Sequence, residues 1–284
     1  LVDAIRNSCN YYFCEVAYRL GIERLYDWAE AFGLTSPTNI ELTGEATGIV
    51  GKQDVLFDNT LMNEENLVEV YGQKTSLPGL IYRKLKEKLT EFVELRHMEV
   101  EDEAIDRCAR RLMELQDGSV EGKGDQIRQI ISDEIGIPVG ITIERQDWTN
   151  AISSLLTELQ WKATQTIRTG FGQGVTLVTP IAVARYASAI ANKGTVYDAH
   201  IVDRILDSEG NPIEEIEPTV FNQIDLPDAV WDVVYEGMKG VVSPEDGGTA
   251  ANYFSTSFRE KYLSDTSEKR VAGKTGTAQI TTVN

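Results

Sequence analysis

Histidine and cysteine are scarce in this chain: 2 histidines and 3 cysteines among 284 residues. His97 and His200 lie far apart, and Cys9, Cys14 and Cys108 have no metal-ligand spacing. A zinc site takes several such groups at short, regular intervals, so neither a metal centre nor a Cys–His dyad is expected, and no cofactor. Cys108 fits the apolar face of a helix and reads as core. Cations are also in short supply. The 27 Lys and Arg stand against 45 Asp and Glu, a formal charge of −18. Nucleic acid is bound by clustered cations that neutralise phosphates, so that class of partner is excluded. No apolar run reaches the roughly 18 residues needed to cross a bilayer. No signal peptide, internal repeat or low-complexity tract is visible. The chain opens Leu1-Val2-Asp3, without Met and already inside a helical pattern, which reads as a piece of a longer protein.

What is present is ordinary globular composition, 42% hydrophobic and 25% charged, enough for one large domain or two smaller ones. The most informative stretch is Val271-Ala272-Gly273-Lys274-Thr275-Gly276-Thr277-Ala278-Gln279. It reads as a strand with a cation, two hydroxyls and two glycines. The glycines leave the backbone bare, so a flat ligand can lie against it. Thr275 and Thr277 are two apart and face the same way on a strand. With Lys274 they suit a carboxylate. Lys-Thr-Gly by itself is also good turn chemistry; the longer string is more specific.

At the other end, residues 1 to about 32 read as helical, with Gly21 separating two helices and Gly33 as a C-cap. Asn7-Ser8-Cys9-Asn10-Tyr11-Tyr12-Phe13 lies within the first. Ser and Asn favour caps and turns over helix interiors, so Ser8 read alone is an N-cap. Read together, Ser8 and Asn10 form an S-x-N triplet at a helix junction, aimed into a cleft. Further along comes Gly172-Gln173-Gly174, then Thr179-Pro180 as N-cap and first residue of a helix that ends in Ala191-Asn192-Lys193-Gly194. Val196 to Leu206 reads as a strand, Asp207 to Pro212 as a turn, and Ile213 to Ile216 as its hairpin partner. Pro227 opens a further helix, and Gly248-Thr249-Ala250-Ala251 precedes the final strand.

These motifs, in this order, resemble those of the class B, monofunctional penicillin-binding protein transpeptidase domains, over about residues 1–60 and 165–284. The resemblance implies an α+β fold of the penicillin-binding protein and serine β-lactamase type, a helical subdomain plus an antiparallel sheet flanked by helices. It is expected to be incomplete at both ends. Residues 1–61 would form the helical part with the S-x-N motif, and 166–284 the α/β part ending in the Lys-Thr-Gly strand. Between them, residues 62–165 read as a helical insertion. Its apolar stripes are Leu85, Leu89 and Phe92; Ile105, Cys108, Leu112 and Leu115; Ile127, Ile131 and Ile135; and Trp148, Ile152, Leu155 and Leu159, with Gly118, Gly122 and Gly124 punctuating the middle pair. The insertion is a docking module for a cell-wall protein or a self-contained elaboration.

The family resemblance also implies serine acyl transfer on peptidoglycan stem peptides, and acylation by β-lactams. Ser8 would relay protons, Asn10 would hold the substrate amide, and Lys274 would keep positive charge beside Ser8. Thr275, Gly276 and Thr277 would form the substrate-binding edge, with the Thr277 N–H as half of an oxyanion hole. Cys9 would turn away from the cleft. One part of the set is missing: no Ser-x-x-Lys occurs in the 284 residues, so the nucleophile is expected upstream of Leu1. The chain alone is then expected to be inactive. Its parent would be held at the cell membrane by an upstream anchor, with this domain on the extracytoplasmic face. A serine β-lactamase, a β-lactam-sensing receptor and a catalytically dead scaffold are the competing readings.

Overall fold

The computed structural model describes residues 1–62, 76–115, 122–140, 143–262 and 271–277. Gly118, Ala278 and Gln279 lie outside the described residues. In chain order the helices and strands are α1 (Val2–Arg6), α2 (Asn10–Leu20), α3 (Ile22–Ala31), α4 (Gln53–Leu56), α5 (Leu77–Leu95), α6 (Asp102–Glu114), α7 (Gly124–Ile135), α8 (Ile143–Thr157), α9 (Ala163–Gly170), α10 (Pro180–Ala191), β1 (Thr195–Tyr197), β2 (Arg204–Leu206), β3 (Pro212–Glu215), β4 (Val220–Gln223), α11 (Asp228–Val242) and α12 (Thr256–Tyr262). Among the described residues no helix is long and apolar enough to cross a membrane. The chain divides into two compact units, Leu1–Gly51 with the described residues from Ala163 onward, and Lys52–Lys162.

The second unit is helical. The Ser76 hydroxyl caps α5 by accepting the Gly79 N–H at 3.1 Å, with Pro78 in the first turn. Leu85, Leu89, Cys108, Leu112, Ile127, Ile131, Ile152 and Leu159 are fully or almost fully buried in one core. On α8 the sequence stripe is displaced by one residue. Leu156 is fully buried and Leu155 packs only partly, because spacings of four, four and three from Trp148 keep one helical face inward. Phe57 and Met62 also belong to this core, within the compact unit that runs from Lys52. Phe92 and Trp148 stack at 4.5 Å, and the Arg96 guanidinium covers the Trp148 ring at 4.6 Å.

A charged cluster joins α5 to α6 at the edge of this core. Asp106 accepts from Lys86 at 2.8 Å and from the Tyr82 hydroxyl, and pairs with Arg110 at 2.8 Å. Burial opposes ionisation of Asp106, but these hydrogen bonds and the two cations outweigh it and hold its carboxyl below the ordinary value.

In the first unit three sequence expectations are revised. The opening stretch is three helices, not two. Asn7 to Cys9 interrupt it: the Asn7 side chain donates to Asp3 O at 3.0 Å, and Ser8 adopts φ 51°, which no helix continues. Val196 to Leu206 is not one strand. Residues after Tyr197 are drawn onto the 38–41 loop, with Ala199 N–H on Thr38 O at 2.8 Å and Ile201 N–H on the Glu41 carboxylate at 2.9 Å. Two separate two-stranded antiparallel sheets result, β1 with β4 and β2 with β3. Lastly, among the described residues, 271–277 pair with no strand. Their donors go elsewhere, Val271 N–H to Tyr262 O and Gly273 N–H to Met238 O, both at 3.1 Å.

Two caps behave as their residue types dictate. The Thr179 hydroxyl accepts the Ala182 N–H at 3.2 Å at the start of α10. Gly33, at φ 73°, closes α3, with Leu34 N–H on Ala29 O. A buried cation then ties the two together. Arg185 on α10 donates to Gly33 O, to Ser36 O at 3.0 Å and to Pro37 O at 2.9 Å, while Asp198 stands 3.8 Å away. Burial lowers the pKa of its guanidinium from the ordinary value.

Three outcomes test this packing. Leu112→Ala should cost about 2–5 kcal/mol, measured by urea denaturation followed by circular dichroism. A carboxyl whose pKa is lower when folded stabilises above its ordinary value, and that stability fades as pH falls through the folded value. Asp106→Asn should therefore cost stability near pH 7 and flatten its decline below about pH 4. Burial pushes the Cys108 thiol up to about 12. Thiol reagents at about pH 8 should label half-buried Cys9 and Cys14 and spare Cys108, as peptide mass mapping would show.

Candidate active site

The site is assembled by α11. Its Gly237 and Gly240 are three apart and face α1. A Cβ on Gly237 would lie 2.8 Å from the Ile5 side chain, and one on Gly240 would lie 3.1 Å from that of Arg6. The absence of side chains lets α1 sit directly on α11, and Ile5, Val241 and Val242 form a buried cluster there. Ser8 follows one turn later. On the other side, the Met238 carbonyl of α11 receives the Gly273 N–H, which delivers Lys274 to the same place. One helix thus holds both ends of the sequence.

At the meeting point, Lys274 Nζ donates to Ser8 Oγ at 2.7 Å and to Thr275 O at 2.9 Å. Partial burial lowers the pKa of the Lys274 ammonium from its ordinary value. Ser8, Asn10, Lys274, Thr275, Gly276 and Thr277 all line one cleft of about 910 Å³, whose apolar wall includes Phe13, Phe171 and Met238. Asn10 is the first residue of α2 and exposed to that cleft. Cys9, the N-cap of α2, is not among the lining residues.

Two contacts at the cleft went unread in the sequence. Thr249 Oγ1 lies 3.0 Å from Thr275 Oγ1. Thr249 is held between Gly248 N–H on Ser243 O at 3.0 Å and Ala250 N–H on Val241 O at 2.9 Å, both at the end of α11. Gln173 Nε2 donates to Thr277 O at 2.9 Å. The Gly-Thr-Ala-Ala and Gly-Gln-Gly strings were visible as motifs, but their partners are 26 and 104 residues away. The i, i+3 glycine pair on α11 was the legible sign that another helix would lie against it.

Comparison with known proteins identifies the family. The family model described as the penicillin-binding protein transpeptidase domain matches residues 1–71 and 144–284, well over half of the chain. This chain belongs to that family. It is 30% identical over 151 residues to the peptidoglycan D,D-transpeptidase MrdA of Haemophilus influenzae, a match covering 51% of this chain and 21% of that protein. Stage V sporulation protein D of Bacillus subtilis is 43% identical over 49 residues, 17% of this chain and 8% of the relative. The chain therefore spans about a fifth or less of the length of these curated relatives. Among solved structures, PBP2 of Pseudomonas aeruginosa, crystallised with WCK 5153, is 22% identical, with a TM-score of 0.49 over 98% of this chain and 38% of that one.

Substitution at the helix contact should propagate to the site. Gly237→Val is expected to cost about 1–3 kcal/mol by overpacking Ile5. It should also separate Ser8 from Lys274, which the side-chain ammonium resonance of Lys274 would report by NMR.

Proposed function

We propose that this chain forms part of a peptidoglycan D,D-transpeptidase, with the cleft of Ser8 and Lys274 as one side of its acyl-transfer site. The contact of the Lys274 ammonium with the Ser8 hydroxyl, between residues 266 apart in a member of the transpeptidase family, carries the reading. In the reaction a serine hydroxyl from an S-x-x-K sequence attacks the carbonyl carbon between two D-alanines. The amide C–N bond breaks, the terminal D-alanine departs with a proton on its amine, and a serine ester remains. The amine of a neighbouring stem peptide then attacks that ester, forming the crosslink and returning a proton to the serine oxygen.

The motif residues of the cleft each have a role in that sequence. Ser8 relays the proton between the lysine of S-x-x-K and the leaving amine, and Lys274 sets its direction by occupying the Ser8 oxygen as a donor. Asn10 holds the amide of the stem peptide. The hydroxyls of Thr275 and Thr277 receive the terminal carboxylate, and Gly276 leaves the main chain open to the substrate. The Thr277 N–H faces the oxyanion, a kind of donor whose loss costs about 10²–10³ in rate. β-Lactams acylate the same serine. The working surface lies on the extracytoplasmic side, where peptidoglycan is. The helical unit serves as a docking module for other cell-wall proteins.

The 284-residue chain has no Ser-x-x-Lys, so benzylpenicillin should leave its intact mass unchanged. A longer protein carrying S-x-x-K before Leu1 should gain a single adduct on that serine, and Ser8→Ala should slow its formation by about 10²-fold or more. An adduct on the shorter chain, or destruction of the antibiotic with no stable adduct, would overturn the assignment.

A further inference from the structure

Gln173 has no part in the roles above. It sits just past α9, between Gly172 at φ 77° and Gly174 at φ 87°. Both glycines occupy the left-handed region, which lets the chain reverse sharply. The turn is fastened to the end of its own helix: Gln173 N–H donates to Arg168 O at 2.9 Å and Gly172 N–H to Thr169 O at 3.0 Å. Helix α9 is in turn fixed to α2, because Gly170 lies so close to Ala17 that a Cβ would overlap it. From this anchored turn, Gln173 Nε2 reaches the Thr277 carbonyl at 2.9 Å. The bond joins the turn after α9 to the segment that carries Lys274, and both residues line the cleft.

We infer that Gln173 is a positioning residue for acyl transfer, whose side-chain amide fixes the Thr277 main chain and so aims the Thr277 N–H. The inference rests on the transpeptidase reading and deepens it. The N–H and C=O of one residue are linked through its two backbone torsions. Upstream, Gly273 is held by Met238 O and Thr275 by Thr249. With the Thr277 carbonyl held as well, the intervening N–H keeps one direction. An oxyanion donor works only when it is already aimed, about 2.7–3.1 Å from where the charge develops. Loss of the Gln173 bond should therefore slow the chemical step and leave ground-state binding nearly unchanged.

Two substitutions separate this role from mere packing. Gln173→Met keeps length and bulk and removes the donor. Gln173→Glu keeps shape but sets a carboxylate oxygen against a carbonyl oxygen, and donates again once protonated, below about pH 4.3. The experiment is stopped-flow acylation by a chromogenic cephalosporin, using the longer protein with its S-x-x-K, over a range of pH. Gln173→Met should lower the acylation rate constant by about 10- to 100-fold with the dissociation constant unchanged. Gln173→Glu should match it near neutrality and recover, relative to the unsubstituted protein, as pH falls. Should Gln173→Met fail to fold, the pH profile of Gln173→Glu decides alone: recovery supports the inference, and a flat ratio overturns it. Acylation unaffected by either change overturns the inference and leaves the transpeptidase reading standing. An unsubstituted protein that is not acylated overturns both.

Discussion

The close approach of α1 to α11 is the constraint on which the site depends. Gly237 and Gly240 admit Ile5 and Arg6 where any larger residue would hold them off. The contact Lys274–Ser8 is short and polar, and a shift of about 1 Å at the helix interface would open it beyond hydrogen-bond range. Apolar burial in the Ile5, Val241 and Val242 cluster therefore determines a polar distance at the cleft. That coupling explains why glycines remote from any chemistry matter to it. Helix propensity alone disfavours glycine mid-helix by about 1 kcal/mol relative to Ala, so the pair is tolerated for packing rather than for helix formation.

Buried charge is managed differently in the two units. Arg185 is almost wholly buried and surrounded mainly by carbonyl oxygens of the 33–38 loop, with Asp198 at the limit of ion-pair distance. An uncompensated guanidinium would be costly there, so the carbonyls and the Phe221 ring beneath it at 4.8 Å act as its solvation shell. In the helical unit Asp106 gathers Lys86, Arg110 and Tyr82 at a half-open edge. Removing one partner from either arrangement leaves a desolvated charge, which costs more than the contact gains.

Among the described residues, the extended segment from Val271 to Thr277 is held by single contacts and pairs with no strand. Its main chain is fastened at Val271 and Gly273, and its side chains at Lys274 and Thr275. Gln173 adds the hold on Thr277. These anchors come from α11, from α12, from the loop after α11 and from the turn after α9. Gly276 keeps the line of the backbone bare within the cleft.

Much of this was written in local sequence. Thr179-Pro180 and Gly33 set helix ends through short-range hydrogen bonds, so they could be read without a fold. The helical unit was legible because a 3.6-residue period survives any arrangement of its neighbours, as Leu85, Leu89 and Phe92 show. Ser8, Asn10 and Lys274 were legible as motifs, since their chemistry is set by residue type and spacing. Tertiary structure decided what depends on partners distant in the chain. It broke the stretch from Val196 to Leu206, because its middle bonds to Thr38 and Glu41. It gave the Val271 and Gly273 amides to Tyr262 and Met238, on α12 and α11. It also brought Ser8 within 2.7 Å of Lys274, a distance determined by two glycines on a helix that neither residue belongs to.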